Sequence, residues 1–156
     1  MCNHIDTIKA TYTEVGRKTS RISRKSFRLP VVKNDNQQLS LDDFLDSINV
    51  ITKDLQRLTD SINDLVGLVR NNFCDITTSE AESLLQLSTS ISGKMELLHR
   101  KLKRSPLYVG METCVNLYYD AMTEFEELCS DLKTWHVDAP QNNQLQRTME
   151  YLKTFA

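Results

Sequence analysis

Residues 44–66 read FLDSINVITKDLQRLTDSINDLV, and their apolar side chains recur at alternating steps of four and three. The apolar stripe consists of Phe44, Ile48, Ile51, Leu55, Leu58, Ile62, Leu65 and, just beyond, Val69. This spacing puts the apolar side chains on one face of an α-helix and leaves polar residues on the rest of its surface. The stretch therefore predicts a long amphipathic helix over about residues 41–70. Ser40 and Asp43 stand before it in a pattern typical of a capping box.

The pattern of alternating fours and threes occurs twice more downstream. A second helix is predicted over residues 79–104, after an N-terminal signature of Thr78, Glu80 and Glu82, and a third over residues 111–135. The second stripe consists of Leu84, Ser88, Ile91, Met95, Leu98 and Leu102. The third consists of Met111, Val115, Tyr118, Met122, Phe125, Cys129 and Leu132. Short connections make consecutive helices antiparallel neighbours, so we expect an elongated up-down-up three-helix bundle over residues 40–138.

Composition agrees with an all-α chain of one domain. The chain has 156 residues, 40% of them hydrophobic, which is enough for a single core with little room for a second. Its four glycines and three prolines are too few for the many turns of a β fold. Pro140 is expected to end the third helix, which leaves residues 139–156 as a tail or a short helix.

No stretch carries a catalytic signature, a metal-ligand spacing or a phosphate-binding glycine loop, so we expect a non-enzymatic protein without a cofactor. The four cysteines form no C-x-x-C pair and are expected to be free thiols in a reducing compartment. Neither a signal peptide nor a membrane-spanning run is visible. The prediction is an intracellular, cytoplasmic protein, with association to a membrane surface and a nuclear location as open alternatives.

Charge is unevenly divided along the chain. Seven basic and two acidic residues give residues 1–30 a net charge of +5, so that residues 31–156 carry −7 of the total of −2. Residues 1–39 are predicted to be a basic, mostly disordered arm. The cations assigned to an electrostatic role are Arg17, Lys18, Arg21, Arg24, Lys25 and Arg28. If the arm became helical, Arg17, Arg21, Arg24 and Arg28 would share one face, suited to an anionic membrane, an acidic protein or nucleic acid.

The same arm offers Ser20, Ser23 and Ser26, each in the basic surroundings that many kinases select. Phosphorylation of any of them would remove about 1.5–2 units of positive charge. Further apolar residues lie off the three stripes and widen the helix faces beyond the needs of a three-helix core. Those on the second and third helices, which predict a groove for a partner helix, are Leu87, Leu97, Leu117 and Leu128.

Residues 44–106, FLDSINVITKDLQRLTDSINDLVGLVRNNFCDITTSEAESLLQLSTSISGKMELLHRKLKRSP, resemble the first two helices of the syntaxin N-terminal regulatory domain, the Habc bundle. Residues 117–133, LYYDAMTEFEELCSDLK, are similar to its third helix. The resemblance covers residues 41–135 and implies a role in vesicle trafficking or SNARE regulation, with a SNARE helix as partner. The residues after 135 match neither a SNARE helix nor an anchor, so the resemblance implies a regulatory relative, a truncated relative or a fragment of a longer chain. The alternative is a coiled-coil subunit of a hetero-oligomeric assembly of the kinetochore or tethering type.

Overall fold

The computed structural model of the protein describes residues 4–25, 27–28 and 41–135, together with the backbone of residues 136–154. This part of the chain consists of four α-helices: α1 (His4–Ser23), α2 (Leu41–Asn71), α3 (Thr78–Arg104) and α4 (Glu112–Thr154). Single-turn 3₁₀ helices, Phe73–Asp75 and Tyr108–Gly110, lie between α2 and α3 and between α3 and α4. The all-α class predicted from the sequence is confirmed, and no described residue lies in a strand.

The predicted disordered arm is wrong over residues 4–23, because this segment is the helix α1. Its buried residues Ile8, Tyr12, Val15, Thr19 and Ile22 follow the same steps of four and three as the other stripes. The segment is rich in β-branched residues and contains a glycine, and it therefore has low intrinsic helix propensity. Burial of its apolar side chains against α2 and α3 stabilises α1 despite its low helix propensity. A tertiary contact of this kind cannot be predicted from local composition.

The four helices form a bundle in which α1 and α4 occupy opposite corners. Each of these two helices packs against both α2 and α3. α1 runs antiparallel to α2, since Lys18 contacts Ser61 and Lys25 contacts Asp54. It runs parallel to α3, since Tyr12 contacts Ser88 and Ser23 contacts Lys101. The rings of Tyr12 and Phe125 touch edge to face across the centre at 6.0 Å. The predicted three-helix bundle is thus corrected to a four-helix bundle, in which α1 fills the space between α2 and α3.

The ends of α3 and α4 differ from the sequence prediction. The capping box of α3 is made by Thr77, not Thr78: the Thr77 hydroxyl accepts from the amide of Glu80, and the Glu80 carboxylate accepts from the amide of Thr77. α4 does not end before Pro140 but continues through it to Thr154. A proline inside a helix removes one backbone hydrogen bond and crowds the preceding turn, and here that cost does not stop the helix.

The core runs along the whole bundle and is closed at the α2–α3 connection by Trp135. The indole of Trp135 donates a hydrogen bond of 2.9 Å to the carbonyl of Ile76, and its ring packs on Phe73 with centroids 5.6 Å apart. At the opposite end Gly110 lies directly against the side chain of Ile48. The first pair of contacts joins α4 to the α2–α3 connection, and the second joins the α3–α4 connection to α2.

Candidate functional site

Nearly all the predicted stripe residues are in the core. Phe44 is only half-buried and packs against the edge of the core, whereas the other members of the stripe in α2 are buried. In α3 and α4 the buried members are Leu84, Ser88, Ile91, Met95, Leu98, Leu102, Met111, Val115, Tyr118, Met122, Phe125 and Leu132. Cys129 is half-buried. The stripe therefore makes the core of this bundle rather than a seam left open for another chain.

The four residues predicted to line a partner groove do not lie together. Leu128 is fully buried and belongs to the core, which corrects its assignment to a groove. Leu117 is exposed on α4. Leu87, half-buried, and Leu97, 52% exposed, both lie on α3 and face α1. Only these two remain as candidates for a shared binding surface.

A groove between α1 and α3 brings together the basic residues of α1 and two lysines of α3. Arg17 and Arg21 lie on one face of α1, and Arg24, which follows the last turn of α1, lines the same groove. Lys94 and Lys101 lie two helical turns apart on the facing side of α3. Because α1 and α3 are parallel, the two rows of cations border the same channel. We call this channel the basic groove.

The basic groove consists of two adjoining cavities of about 500 and 240 Å³ that share Ser20, Arg24 and Lys94. Their apolar lining comes from Leu87, Ile91 and Leu97, and their hydroxyls include Ser20 and Ser90. Among the described residues that line the two cavities there is no aspartate or glutamate. The helices approach closely at Gly16, where a Cβ atom would lie 3.4 Å from Cγ1 of Ile91. Their close approach brings the two rows of cations to the sides of one open groove.

The cations predicted for the arm are divided between two faces of α1. Lys18 donates a hydrogen bond of 2.7 Å to the Ser61 hydroxyl, and Lys25 donates to the Asp54 carboxylate, so both attach α1 to α2. Arg17 pairs with Glu14 at the edge of the groove, and Arg28 is exposed beyond the end of α1. The single face expected for Arg17, Arg21, Arg24 and Arg28 is therefore correct within α1 only for the first two; Arg24 follows its last turn and still reaches the groove.

Neither Arg24 nor Lys94 forms an ion pair with a residue that the structure describes. Lys101 donates a hydrogen bond of 2.9 Å to the backbone carbonyl of Ser23, and no described carboxylate pairs with its charge. Uncompensated like charges around a concave surface raise the local positive potential. The basic groove is thus suited to bind negative groups.

The predicted phosphorylation sites have different surroundings. Ser20 is half-buried and lines both cavities of the basic groove. Ser23 is also half-buried and lines the smaller cavity. Ser26 lies outside the described residues. A phosphate on Ser20 would stand among the cations of the groove.

A buried polar layer connects the helices beneath the basic groove. The Ser88 hydroxyl on α3 donates a hydrogen bond of 3.0 Å to the phenol oxygen of Tyr12 on α1. Burial raises the pKa of Tyr12 far above its usual range, so the phenol stays neutral. Burial also raises the pKa of the neighbouring Cys129 thiol on α4. The cysteine is consequently a small neutral core residue rather than a reactive thiolate.

The sequence alone did not indicate that Lys94 and Lys101 belong with the arginines of the arm. The signal was present as the seven-residue interval between the two lysines, which keeps them on one helix face. This interval could not indicate a site shared with the arginines while α1 was expected to be disordered. In the described part of the chain no three acidic, cysteine or histidine side chains are grouped closely enough to hold a metal ion.

Comparison of the chain with protein-family models, curated proteins and solved structures finds no match. Within the described ranges no helix combines the length and apolar character needed to cross a bilayer. The site is therefore interpreted from its own geometry.

Proposed function

We propose that this protein is a non-enzymatic helical interaction domain that binds an acidic segment of a partner protein in the basic groove. The observation that carries the proposal is the arrangement of five cations, Arg17, Arg21, Arg24, Lys94 and Lys101, around a channel in which no lining residue that the structure describes is a carboxylate. Charge complementarity at such a surface attracts an acidic partner and excludes a basic one.

The apolar residues of the channel favour a protein over a simple anion. Leu87 lines the larger cavity and Leu97 the smaller one, and both are partly exposed there, where they can be covered by apolar side chains of a partner. The interaction role agrees with the resemblance of residues 41–135 to the syntaxin regulatory domain. We accordingly propose vesicle trafficking and SNARE regulation as the setting of the interaction.

A second candidate function is that of a structural subunit in a hetero-oligomeric assembly. It is favoured by large apolar side chains that are exposed away from the basic groove, including Val50 on α2 and Leu117 and Tyr119 on α4. Exposed apolar residues on several helices are typical of surfaces that other subunits cover. The two functions differ in the surface they use, and variants of each surface can separate them.

The proposal is tested by binding of fluorescein-labelled poly-L-glutamate to the full chain, followed by fluorescence anisotropy at several salt concentrations. We expect binding that weakens steadily with salt and that falls in the variant Arg24→Gln/Lys94→Gln. The control Lys53→Gln/Lys103→Gln removes the same charge from exposed positions outside the groove. Equal loss in both double variants, or affinity that is independent of salt, would rule out the basic groove as the binding site.

A further inference from the structure

Ser20 lies where the two cavities of the basic groove adjoin. It lines both of them, as do Arg24 and Lys94, and its hydroxyl donates to no residue that the structure describes. Thr13 and Thr19 on the same helix differ, because their hydroxyls donate to the carbonyls four residues before them. The Ser20 hydroxyl can therefore carry a group that extends into the groove.

The residues before Ser20 are of the kind that basophilic protein kinases select. Arg17 and Lys18 stand three and two positions before it. Among the described residues, no other serine or threonine that lines the two cavities has two basic residues among the three that precede it. These others are Thr13, Ser23 and Ser90. Position in the fold and sequence context thus both select Ser20.

From these observations we propose that Ser20 is phosphorylated by a basophilic protein kinase and that its phosphate occupies the basic groove in place of the acidic partner. The inference rests on the proposed function and adds its regulation. The kinase transfers the γ-phosphoryl group of ATP to Oγ of Ser20. The Oγ–P bond forms, the bond from the γ-phosphorus to the β,γ-bridging oxygen breaks, ADP leaves, and the hydroxyl proton passes to the base of the kinase.

A phosphate on Ser20 meets cations on both sides of the groove. The amide of Arg24 donates to the carbonyl of Ser20 at 3.2 Å, so Arg24 stands one helical turn after it, and Arg17 stands nearly one turn before it. Lys94 borders the same cavities from α3. A phosphate carries about −1.5 to −2 charges, so it would lower the charge of the five groove cations from +5 to about +3. The negative end of the α1 dipole opposes it with only about half a unit charge.

The transfer requires that the end of α1 opens, because kinases bind their substrates as extended segments and Ser20 is half-buried in a helix. Ser20 stands three positions before Ser23, the last residue of α1, and helix ends open at a lower free energy than the middle of a core. When α1 closes again, the phosphate pairs with Lys94 and holds α1 on α3. Phosphorylation thus blocks the groove to acidic ligands.

The modification is tested with the full chain, ATP and the catalytic subunit of cyclic-AMP-dependent protein kinase, a basophilic enzyme. Mass spectrometry of proteolytic peptides locates the phosphate. We expect it on Ser20, with a several-fold lower rate of incorporation in Arg17→Gln, which lacks the cation three positions before the serine. Lys53→Gln removes an exposed charge on α2 and should keep the rate of the parent chain. A chain that takes up no phosphate at Ser20 would overturn the proposal.

The effect of the phosphate is measured separately, in full chains that carry Ser20→phosphoserine or the control Ser130→phosphoserine, at an exposed position on α4. The first should bind poly-L-glutamate more than about tenfold less tightly than the unmodified chain at low salt, and the control should change little. The second pKa of a phosphoserine is about 6. Phosphorus NMR should show it lowered at position 20 by the surrounding cations, and restored towards 6 by Arg24→Gln/Lys94→Gln.

Two results would overturn the phosphate site in the groove. One is an unshifted phosphate pKa at position 20, and the other is equal affinity of the two phosphoserine chains for poly-L-glutamate. Either result leaves the proposed function standing when the unmodified chain binds poly-L-glutamate through the groove. Absence of that binding in the unmodified chain would instead refute the proposed function, and the two failures are therefore distinguishable.

Discussion

The Ser88 hydroxyl donates a hydrogen bond of 3.0 Å to the phenol oxygen of Tyr12, and the two side chains are 1% and 0% exposed. This is a contact between α3 and the helix that sequence composition predicted to be disordered. This buried pair joins polar side chains of two different helices, and its geometry is met in one register of α1 against α3. The pair therefore selects the position at which α1 docks, and with it the position of its arginines at the groove.

Ser88→Ala should destabilise the protein by about 1–2 kcal/mol, because the Tyr12 hydroxyl would be left buried with its partner removed. Tyr12→Phe should have a similar effect. The double variant should lose less than the two single variants added together, since removing both partners leaves no unpaired hydroxyl of this pair. Urea unfolding of the four proteins gives the coupling energy; strict additivity would show that the hydrogen bond contributes nothing to the docking of α1.

Docking of α1 should depend on pH through Asp54. Its pKa is lowered from 3.8, first by the hydrogen bond from Lys25 and also by the charges of Arg21 and Arg57, with burial opposing the shift. A lowered carboxyl pKa means that the ion pair adds stability above pH 3.8 and that this stability is lost as the pH falls below it. The contribution should be below about 1 kcal/mol, because the pair is partly exposed.

Hydrogen exchange of the α1 amides measures this effect. At neutral pH Asp54→Asn should exchange faster in α1 than the parent chain. In acid, well below pH 3.8, the α1 amides of the two proteins should exchange at the same rate after correction for the intrinsic exchange rate. A difference between them that persists unchanged in acid would contradict the role of the carboxylate. Asp120→Asn, an exposed carboxylate on α4, is the matched control.

Leu117 and Leu128 lie on the same helix and were both predicted to line the partner groove, but only Leu128 belongs to the core. Leu128→Ala should cost about 2–5 kcal/mol, as is typical when a large buried side chain is truncated. Leu117→Ala, at a position 53% exposed, should change the free energy of unfolding by less than about 0.5 kcal/mol. Similar small effects at both positions would mean that α4 is not packed in this register.

Gly93 and Gly110 should respond in opposite directions to alanine. Gly93 lies inside α3 and a Cβ atom there meets nothing within 4 Å, so alanine should stabilise the helix by about 0.5–1 kcal/mol. At Gly110 the new Cβ would overlap the side chain of Ile48, which would have to move. We therefore expect Gly110→Ala to lower the melting temperature while Gly93→Ala raises it; a rise in both would place Ile48 elsewhere.

Ser20→Glu should weaken the binding of poly-L-glutamate to the basic groove. The carboxylate would stand among Arg24 and Lys94, in both cavities at once, and would compete with the ligand for them. We expect a loss of affinity of several-fold in anisotropy titrations at low salt. Ser130→Glu adds the same charge at an exposed position on α4 and should have little effect. Equal effects of the two substitutions would reveal a dependence on net charge alone.

Most of the helical scaffold could be predicted from the periodicity of apolar residues in the sequence. The stripes from Ile48 to Val69 and from Leu84 to Leu102 repeat every three or four residues, and each is long enough to identify a helix and its buried face without any other part of the protein. The capping and proline rules were less reliable for predicting where a helix begins or ends. Pro140 was expected to stop the third predicted helix, yet α4 continues through it. The cap of α3 was placed one residue too late.

The docking of α1 and the basic groove were decided by tertiary structure, although the steps of four and three in α1 are present in the sequence. α1 has β-branched residues and a glycine where a stable isolated helix would have good helix formers, so its conformation depends on burial against α2 and α3. Arg24 and Lys94 are 70 positions apart in the chain and lie in one cavity only because α1 docks parallel to α3. Periodicity is a property of neighbouring residues, whereas a site shared by two helices depends on their register, which here is selected by buried contacts such as that between Ser88 and Tyr12.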